Sequence, residues 1–173
     1  IAQKFNNEFN SQDFLKTPEP LIQKHFSRIM SLKDGMKKMS KSDPSDLSRI
    51  NLTDDNNQII NKIKKAKTDP MTMPKDEKDL SERPEAENLL GIYSSLQNQN
   101  IEKTLIEFGG KNFSEFKEKL SSLLVEKISP ISQEIKKLLD DKKYLDNVLL
   151  EGSQKADIIA SKKIKEIKQL IGF

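Results

Sequence analysis

Apolar residues recur at intervals of three and four along most of this chain, which is the spacing of one face of an amphipathic helix. The pattern predicts a first helix within residues 1–9 and further helices that begin near Pro84 and near Asn100. Another helix is predicted to begin near Thr53 or Asp54, either of which suits an N-cap. Its predicted buried side carries Ile59, Ile60, Ile63 and Ala66.

A longer apolar stripe advances in the same steps and is predicted to lie in the core: Phe113, Phe116, Leu120, Leu124, Ile128, Ile131, Ile135 and Leu138. Pro130 is predicted to kink or divide this helix, because proline lacks a backbone donor and crowds the preceding turn. A last helix carries Ala156, Ile159, Ala160, Ile164, Ile167 and Ile171. The pattern therefore predicts a mainly α fold, with several antiparallel helices around one core.

Four segments depart from the helical pattern. Pro18 and Pro20 predict an extended loop, and the run Ile29-Met30 with Leu32 has the length of a short strand. Residues 33–48 are rich in lysine, serine and aspartate and predict a polar loop. Residues 70–84 contain three prolines among charged residues and predict an exposed connector.

Composition limits the classes of function. The 173 residues carry a net charge of +3 with both signs interleaved, which is only weak support for a nucleic-acid partner. The absence of cysteine excludes disulfides and thiolate metal sites, and the single histidine, His25, makes a histidine-based centre improbable and is interpreted as a loop residue. Apolar runs fall short of the ~18 residues that a membrane span needs. The first residue, Ile1, is not methionine, so a truncated chain is expected.

Candidate chemistry lies in the run Lys37-Lys38-Met39-Ser40-Lys41-Ser42-Asp43. Two lysines three residues apart, with a hydroxyl residue between them and another after them, provide cations and donors for the oxygens of a polyphosphate. A short loop of lysine and serine is also typical of plain solvated surface, and both interpretations stay open on these residues alone. The glycines of a Walker loop are missing.

Residues 38–42 spell Lys-Met-Ser-Lys-Ser, which resembles the signature of class I aminoacyl-tRNA synthetases. Further similarity to the tryptophanyl group covers essentially the whole chain, in segments such as 28–32, 66–69, 88–93, 109–117, 152–156 and 171–173. The resemblance implies that ATP activates tryptophan and that the aminoacyl group passes to transfer RNA. The two catalytic residues that it implies are Lys38 and Lys41, which would stabilise charge on the departing pyrophosphate.

The resemblance also implies an ATP-binding set made of Ile29, Lys38, Met39, Ser40, Lys41 and Ser42. In this set the backbone of Ile29 meets the adenine, Met39 anchors the loop by packing, and Ser42 supports the loop. A bound Mg²⁺ is implied as well, although the sequence identifies no ligand for it. The family's first signature, of the type His-Ile-Gly-His, has no counterpart here, so the fragment is expected to hold only half of the active site.

The implied organisation has two parts. Residues 1–48 are the C-terminal edge of a Rossmann-like catalytic domain, with its last strand and the signature loop, and residues 49–173 are a helical domain of the anticodon-binding type. Transfer RNA for tryptophan, ATP and L-tryptophan are the implied partners of a cytoplasmic enzyme that is homodimeric at full length and has no membrane partner. The alternative is a helical module that binds transfer RNA without catalysis. A generic helical scaffold requires the signature match to be accidental.

Three groups of charged residues have competing interpretations. Lys62, Lys64, Lys65 and Lys67 crowd one helix end, where they can meet RNA phosphates or simply favour the helix dipole. A second lysine cluster at residues 162–168 is offset by neighbouring acids. The pairs Asp54-Asp55 and Asp140-Asp141 are adjacent in sequence, so their side chains diverge and neither pair resembles a metal site.

Overall fold

The computed structural model describes residues 1–21 and 28–173, so His25 lies outside the described residues. Helices dominate this part of the chain: α1 (Ala2–Glu8), α2 (Asn56–Lys65), α3 (Pro84–Leu96), α4 (Ile101–Phe108), α5 (Phe113–Asp140) and α6 (Lys142–Ile171). Two strands, β1 (Met30–Ser31) and β2 (Asp34–Lys38), form an antiparallel hairpin. The predicted mainly α fold class is confirmed.

The chain divides into two compact units, and the larger one comprises Gln23–Lys137. Its core is built by the inner faces of α2, α3, α4 and the first half of α5. Three aromatic rings lie at its centre, with centroids 5.0 Å apart for Tyr93 and Phe108 and 4.9 Å apart for Phe108 and Phe116. Both pairs meet edge to face, the arrangement that aromatic quadrupoles favour. The hairpin packs on this core, since Leu32, which lies between β1 and β2, belongs to the same cluster of buried apolar residues.

The predicted helix starts are confirmed for α3 and α4, whereas the predicted cap of α2 is wrong by one or two residues. Pro84 occupies the first turn of α3, and the side chain of Asn100 accepts a hydrogen bond from the amide of Lys103. The cap of α2 is Asp55, which forms a reciprocal capping box with Gln58. The side chain of Asp54 is not free to cap the helix because it is buried against a lysine.

Two segments predicted as solvent-exposed loops are partly ordered and buried. The polar run 33–48 contains β2, which is stabilised by backbone hydrogen bonds to β1. The sequence of β2 does not alternate between apolar and polar residues, so it gave no sign of a strand. The connector 70–84 buries Met73, Leu80 and Arg83, so its prediction as fully exposed is wrong. Backbone hydrogen bonds of Met73 to the segment 110–111 hold the connector on the core.

The apolar stripe of α5 belongs to the core only as far as Ile128, whereas Ile131 is 46% exposed. The helix continues through Pro130 and is not divided there, since a proline removes one hydrogen bond of a long ladder and the flanking turns persist. The last helix, α6, has no buried residue, and Ile158, Ile159 and Ile164 are all more than half exposed. The prediction that its apolar side chains complete one common core is therefore wrong for the described chain.

The smaller unit comprises Ile1–Ile22 with Leu138–Phe173. Here the ring of Phe5 contacts those of Phe9 and Phe14 at 4.8 Å and 6.1 Å. The ammonium of Lys163, on α6, lies 4.2 Å from the centroid of Phe14, a cation–π contact that joins α6 to the segment after α1. No helix in the described residues is both long enough and apolar enough to cross a membrane.

Candidate functional site

The lysine- and serine-rich residues 38–42, here called the signature loop, directly follow the β1–β2 hairpin. Lys38 ends β2 and pairs with Met30 across the hairpin, next to a register shift in the ladder. The amide of Met39 donates to the carbonyl of Ile29 over 3.1 Å, which closes the base of the loop. Five of the six residues predicted to bind ATP are consecutive in sequence, and this hydrogen bond brings the sixth, Ile29, to the same hairpin end.

Asn88 on α3 holds the outer edge of β1. Its side-chain amide accepts from the backbone amide of Met30 over 2.9 Å and donates to the carbonyl of Met30 over 3.1 Å. A strand edge is a row of unpaired donors and acceptors, and Asn88 satisfies both groups of Met30 as a neighbouring strand would. The hairpin that carries the signature loop is thereby fixed to the helical core.

Gly35 allows β2 to approach the start of α3. A Cβ atom at this position would lie 2.5 Å from the backbone of Pro84 and 2.5 Å from the amide of Glu85, closer than real side chains tolerate. Beside this contact, the ammonium of Lys67 lies 2.8 Å from the carboxylate of Glu85. That hydrogen bond holds the pKa of Glu85 below its ordinary value of 4.5, although burial acts in the opposite direction. The hairpin therefore packs directly against the first turn of α3.

The two lysines of the signature loop are exposed to solvent, and so are Ser40 and Ser42, whereas Met39 is half-buried. Within residues 1–21 and 28–173, neither Lys38 nor Lys41 takes part in a salt bridge. The two serine hydroxyl oxygens lie 2.9 Å apart, and the hydroxyl of Ser40 also accepts from the amide of Ser42 over 3.3 Å. The signature loop thus presents two lysine ammonium groups that form no salt bridge among the described residues, on a turn held by its two serine hydroxyls. Such an arrangement suits the binding of a polyanion.

The lysine cluster predicted at the end of α2 does not act as one cationic surface. Lys62 is 3% exposed, and its ammonium lies 2.6 Å from Asp46 and 2.6 Å from Asp54. It is therefore neutralised inside the protein, which excludes the RNA-facing interpretation for Lys62. Lys67 is exposed but paired with Glu85, so Lys64 and Lys65 are the exposed members that take part in no salt bridge among the described residues.

The residues that the structure describes contain no group of three or more histidine, cysteine, aspartate or glutamate side chains able to hold a metal ion. Mg²⁺ prefers carboxylate and phosphate oxygens in octahedral geometry. The acidic residues next to the signature loop are committed elsewhere, since Asp46 is bonded to Lys62 and Asn51. These residues therefore do not fit a resident magnesium ion.

Three positions that support the site were not found from sequence: Asn88, Arg49 and Lys62. Asn88 had a detectable signal, because an asparagine followed by Leu89 and Leu90 in a helix is a candidate for a buried polar contact. Arg49 and Lys62 gave no comparable signal, since their partners are set by the fold.

The chain belongs to the family described as tRNA synthetases class I (W and Y), whose model matches residues 1–129. Among curated relatives, the tryptophan–tRNA ligase of Mesorhizobium japonicum is 46% identical over 191 aligned residues, covering 100% of this chain and 54% of the relative. The tryptophan–tRNA ligase of Caulobacter vibrioides is 46% identical over 173 residues, with coverage of 100% and 50%. The chain therefore spans about half the length of the curated relatives it matches, and the predicted family resemblance is confirmed.

Solved structures agree with this assignment at the level of the fold. The tryptophanyl-tRNA synthetase from Mycoplasma pneumoniae superimposes with a TM-score of 0.80 at 24% identity, over 99% of this chain and 52% of that one. The Campylobacter jejuni enzyme complexed with ADP and tryptophan gives a TM-score of 0.64 at 23% identity. The fold of this chain is therefore similar to the fold of these solved structures.

Proposed function

We propose that this chain supplies the ATP-facing signature loop and the helical part of a tryptophan–tRNA ligase. The observation that carries the proposal is the signature loop itself: five family-type residues, with two unpaired lysines, at the solvent-exposed end of a hairpin fixed by Asn88. The 46% identity to tryptophan–tRNA ligases over the full chain supports the choice of amino acid. Residues 1–48 would belong to the catalytic domain and residues 49–173 to the domain that contacts transfer RNA.

The proposed chemistry has two steps. A carboxylate oxygen of tryptophan attacks the α-phosphorus of ATP, the bond to the bridging oxygen breaks, and pyrophosphate leaves with the electron pair. A terminal hydroxyl of transfer RNA then attacks the activated carbonyl, and AMP leaves. Lys38 and Lys41 act in the first step, because negative charge grows on the pyrophosphate oxygens as the bond breaks. An ammonium on a flexible stem can follow a moving phosphate group, which a rigid guanidinium fork cannot do as well.

The other members of the site have binding roles in this proposal. The exposed backbone end of β1 at Ile29, which is 40% exposed, would lie along the adenine. Half-buried Met39 would anchor the loop, Ser40 would donate to a phosphate oxygen, and Ser42 would support Ser40 through the contact between their hydroxyls. Mg²⁺ would accompany ATP as part of the substrate, since the described residues offer no site of their own.

A hybrid ligase tests the proposal. The aligned half of the Caulobacter vibrioides ligase, 173 aligned residues and 50% of that protein, would be replaced by this chain. We expect the hybrid to exchange labelled pyrophosphate into ATP only when tryptophan is present. Lys38→Ala and Lys41→Ala should each slow single-turnover adenylate formation about a hundredfold or more and leave tryptophan binding nearly unchanged, as expected for one lost transition-state donor.

Lys37→Ala is the matched control, because Lys37 is an exposed lysine of the same hairpin outside the five-residue signature. Its rate should stay close to that of the unsubstituted hybrid. Adenylate formation at the unsubstituted rate in either Lys38→Ala or Lys41→Ala would remove that lysine from the proposed mechanism. Exchange that proceeds equally well with tyrosine would refute the assignment to tryptophan.

Transfer RNA is the second proposed partner of the helical region. Lys142 and Lys143 are exposed at the first turn of α6 and would meet phosphates of the RNA backbone in this proposal. Binding of the tryptophan transfer RNA should weaken steeply with salt, and neutralising both lysines should lower the slope of log K against log salt by about two. An unchanged slope would exclude these residues from the contact. A hybrid that binds transfer RNA and forms no adenylate would favour a binding module without catalysis. For the full-length ligase, the proposal also includes a cytoplasmic homodimer.

A further inference from the structure

The segment that leaves the signature loop is held by one guanidinium. Nη1 of Arg49 donates to the carbonyl oxygen of Asp43 over 3.0 Å, at the residue directly after Ser42. The carboxylate of Asp43 in turn accepts from the amide of Ser45 over 2.8 Å, which makes the segment a tight turn. The polypeptide therefore emerges from the loop at a position that Arg49 defines.

Arg49 is itself fixed from several directions. Its Nε donates to the side-chain oxygen of Asn51 over 3.1 Å, and Nη2 lies 3.5 Å from the carboxylate of Asp46. Its side chain is 17% exposed, so water screens these contacts only in part. A lysine could not make these contacts together, since an ammonium lacks the planar fork that directs donors along fixed lines.

Lys62 holds Asp46, the carboxylate that contacts Arg49, together with Asp54. Its ammonium, 3% exposed, lies 2.6 Å from both Asp46 and Asp54. Asn51 joins the same group, because its side-chain amide donates to Asp46 over 2.9 Å and to Asp54 over 3.2 Å. Within this group the Lys62–Asp54 pair is buried on both sides, so breaking it would leave an uncompensated buried charge, whereas Asp46 is 56% exposed. The chain of contacts runs from α2 to the end of the signature loop.

Both ends of the signature loop are thus fixed, whereas the loop between them is held mainly by its own serines. The leading end is closed by the hydrogen bond from Met39 to Ile29, and the trailing end by the bond from Arg49 to Asp43. Fixed ends matter for a lysine that must meet charge in a transition state, because a displacement of about 1 Å costs on the order of a hundredfold in rate.

We propose that Arg49 is a positioning residue for adenylate formation, which sets the location of Lys41 by holding the carbonyl of Asp43. This inference rests on the proposed function, since adenylate formation is the reaction it serves. Arg49 touches no reacting atom here and acts through the loop. Lys62, Asp46 and Asn51 supply the frame that keeps its guanidinium in one orientation.

The first experiment uses the hybrid ligase with Arg49→Lys, which keeps the charge and removes the fork. We expect adenylate formation at saturating ATP and tryptophan to slow about tenfold to a hundredfold, with little change in the KM for tryptophan. Arg83→Lys is the matched control, because Arg83 is another mostly buried arginine that bonds a carboxylate and a backbone carbonyl, at Asp69 and Thr72. A rate in Arg49→Lys equal to that of Arg83→Lys would overturn the proposal.

A double-mutant cycle separates positioning from general support of the fold. If Arg49 acts by positioning Lys41, then Arg49→Lys should have little further effect on the rate of adenylate formation in a variant that already carries Lys41→Ala, because the ammonium of Lys41 is absent there. The combined variant should be only about as slow as Lys41→Ala alone. Full additivity of the two effects would mean that Arg49 acts independently of Lys41, and the proposal would fail.

Hydrogen exchange measured on this chain tests whether Arg49 holds the turn after the signature loop, and it requires no activity assay. In Arg49→Lys the amide of Ser45, bonded to Asp43, should exchange faster than in the unsubstituted chain. The amide of Leu105, in α4 of the core, should be unchanged and reports global unfolding. Unchanged exchange at Ser45 would overturn the role of Arg49. An inactive unsubstituted hybrid with faster exchange at Ser45 would instead refute the proposed function and leave the contact established.

Discussion

The support of the hairpin by Asn88 predicts a specific loss of stability in the variant Asn88→Leu. Asn88 is 6% exposed and makes two hydrogen bonds to the backbone of Met30, one as acceptor and one as donor. Leucine has the same branched shape and number of side-chain heavy atoms as asparagine and a higher helix propensity, so the variant removes both hydrogen bonds, and its larger methyl groups also crowd Met30. The amide and the carbonyl of Met30 then lose their partners together.

The magnitude follows from these two groups. A buried donor or acceptor left without a partner costs about 1–3 kcal/mol. Met30 is only half-buried, and water would reach its backbone in part, so the lower half of that range applies to each group and the total is about 2–4 kcal/mol. In a domain of this size 1 kcal/mol corresponds to roughly 2–4 °C in Tm, so we expect Tm to fall by about 4–16 °C.

Thermal unfolding followed by circular dichroism at the helical minimum measures this change. The control variant is Asn57→Leu, the same substitution at an exposed position of α2, where we expect a change within about 0.5 kcal/mol. Asn88→Asp separates the two hydrogen bonds, because a carboxylate still accepts from the amide of Met30 and cannot donate to its carbonyl. If Asn88→Leu unfolds at the same temperature as Asn57→Leu, then Asn88 does not support β1 as described.

Two further predictions concern the contact between β2 and α3. Gly35→Ala should lower stability by several kcal/mol in urea unfolding, since its Cβ would lie 2.5 Å from the backbone of Pro84 and neither backbone can yield cheaply; an unchanged midpoint would contradict the contact. Because Lys67 lowers the pKa of Glu85 below 4.5 in the folded chain, their pair contributes stability that is present above pH 4.5 and lost as the pH falls through the folded value. The difference in unfolding free energy between this chain and Glu85→Gln should therefore shrink on acidification below pH 4.5. A difference that grows below pH 4.5 would contradict the stabilising role of the ion pair.

The signature loop shows how far local sequence carries a functional assignment. Five consecutive residues carry the family resemblance, and their order is independent of any error in the predicted secondary structure. The starts of α3 and α4 were also predictable, because Pro84 and Asn100 act on backbone groups within a few residues of themselves. The division at residues 48–49 and the site roles stay predictions, since they concern a larger protein and its substrates.

The errors share one physical cause. β2 was predicted as loop because a strand of polar residues depends on its partner strand for hydrogen bonds, and periodicity within the strand carries no sign of that partner. The apolar stripe of α6 was predicted as core because amphipathic spacing indicates a face to be covered and does not identify what covers it. The burial of Lys62 was not foreseen, because its carboxylate partners lie 8 and 16 positions away in sequence.

By itself the sequence determined the helical class, the family resemblance and the identity of the loop that carries charge, because these depend on short-range spacing and on residue order. Only the tertiary structure decided what holds that loop in place. Asn88 lies 58 residues from the strand it completes, and the turn that follows the loop is bonded to Arg49 within a frame centred on Lys62. Such contacts form between groups that meet only after the chain has folded, so their geometry is a property of the packed core.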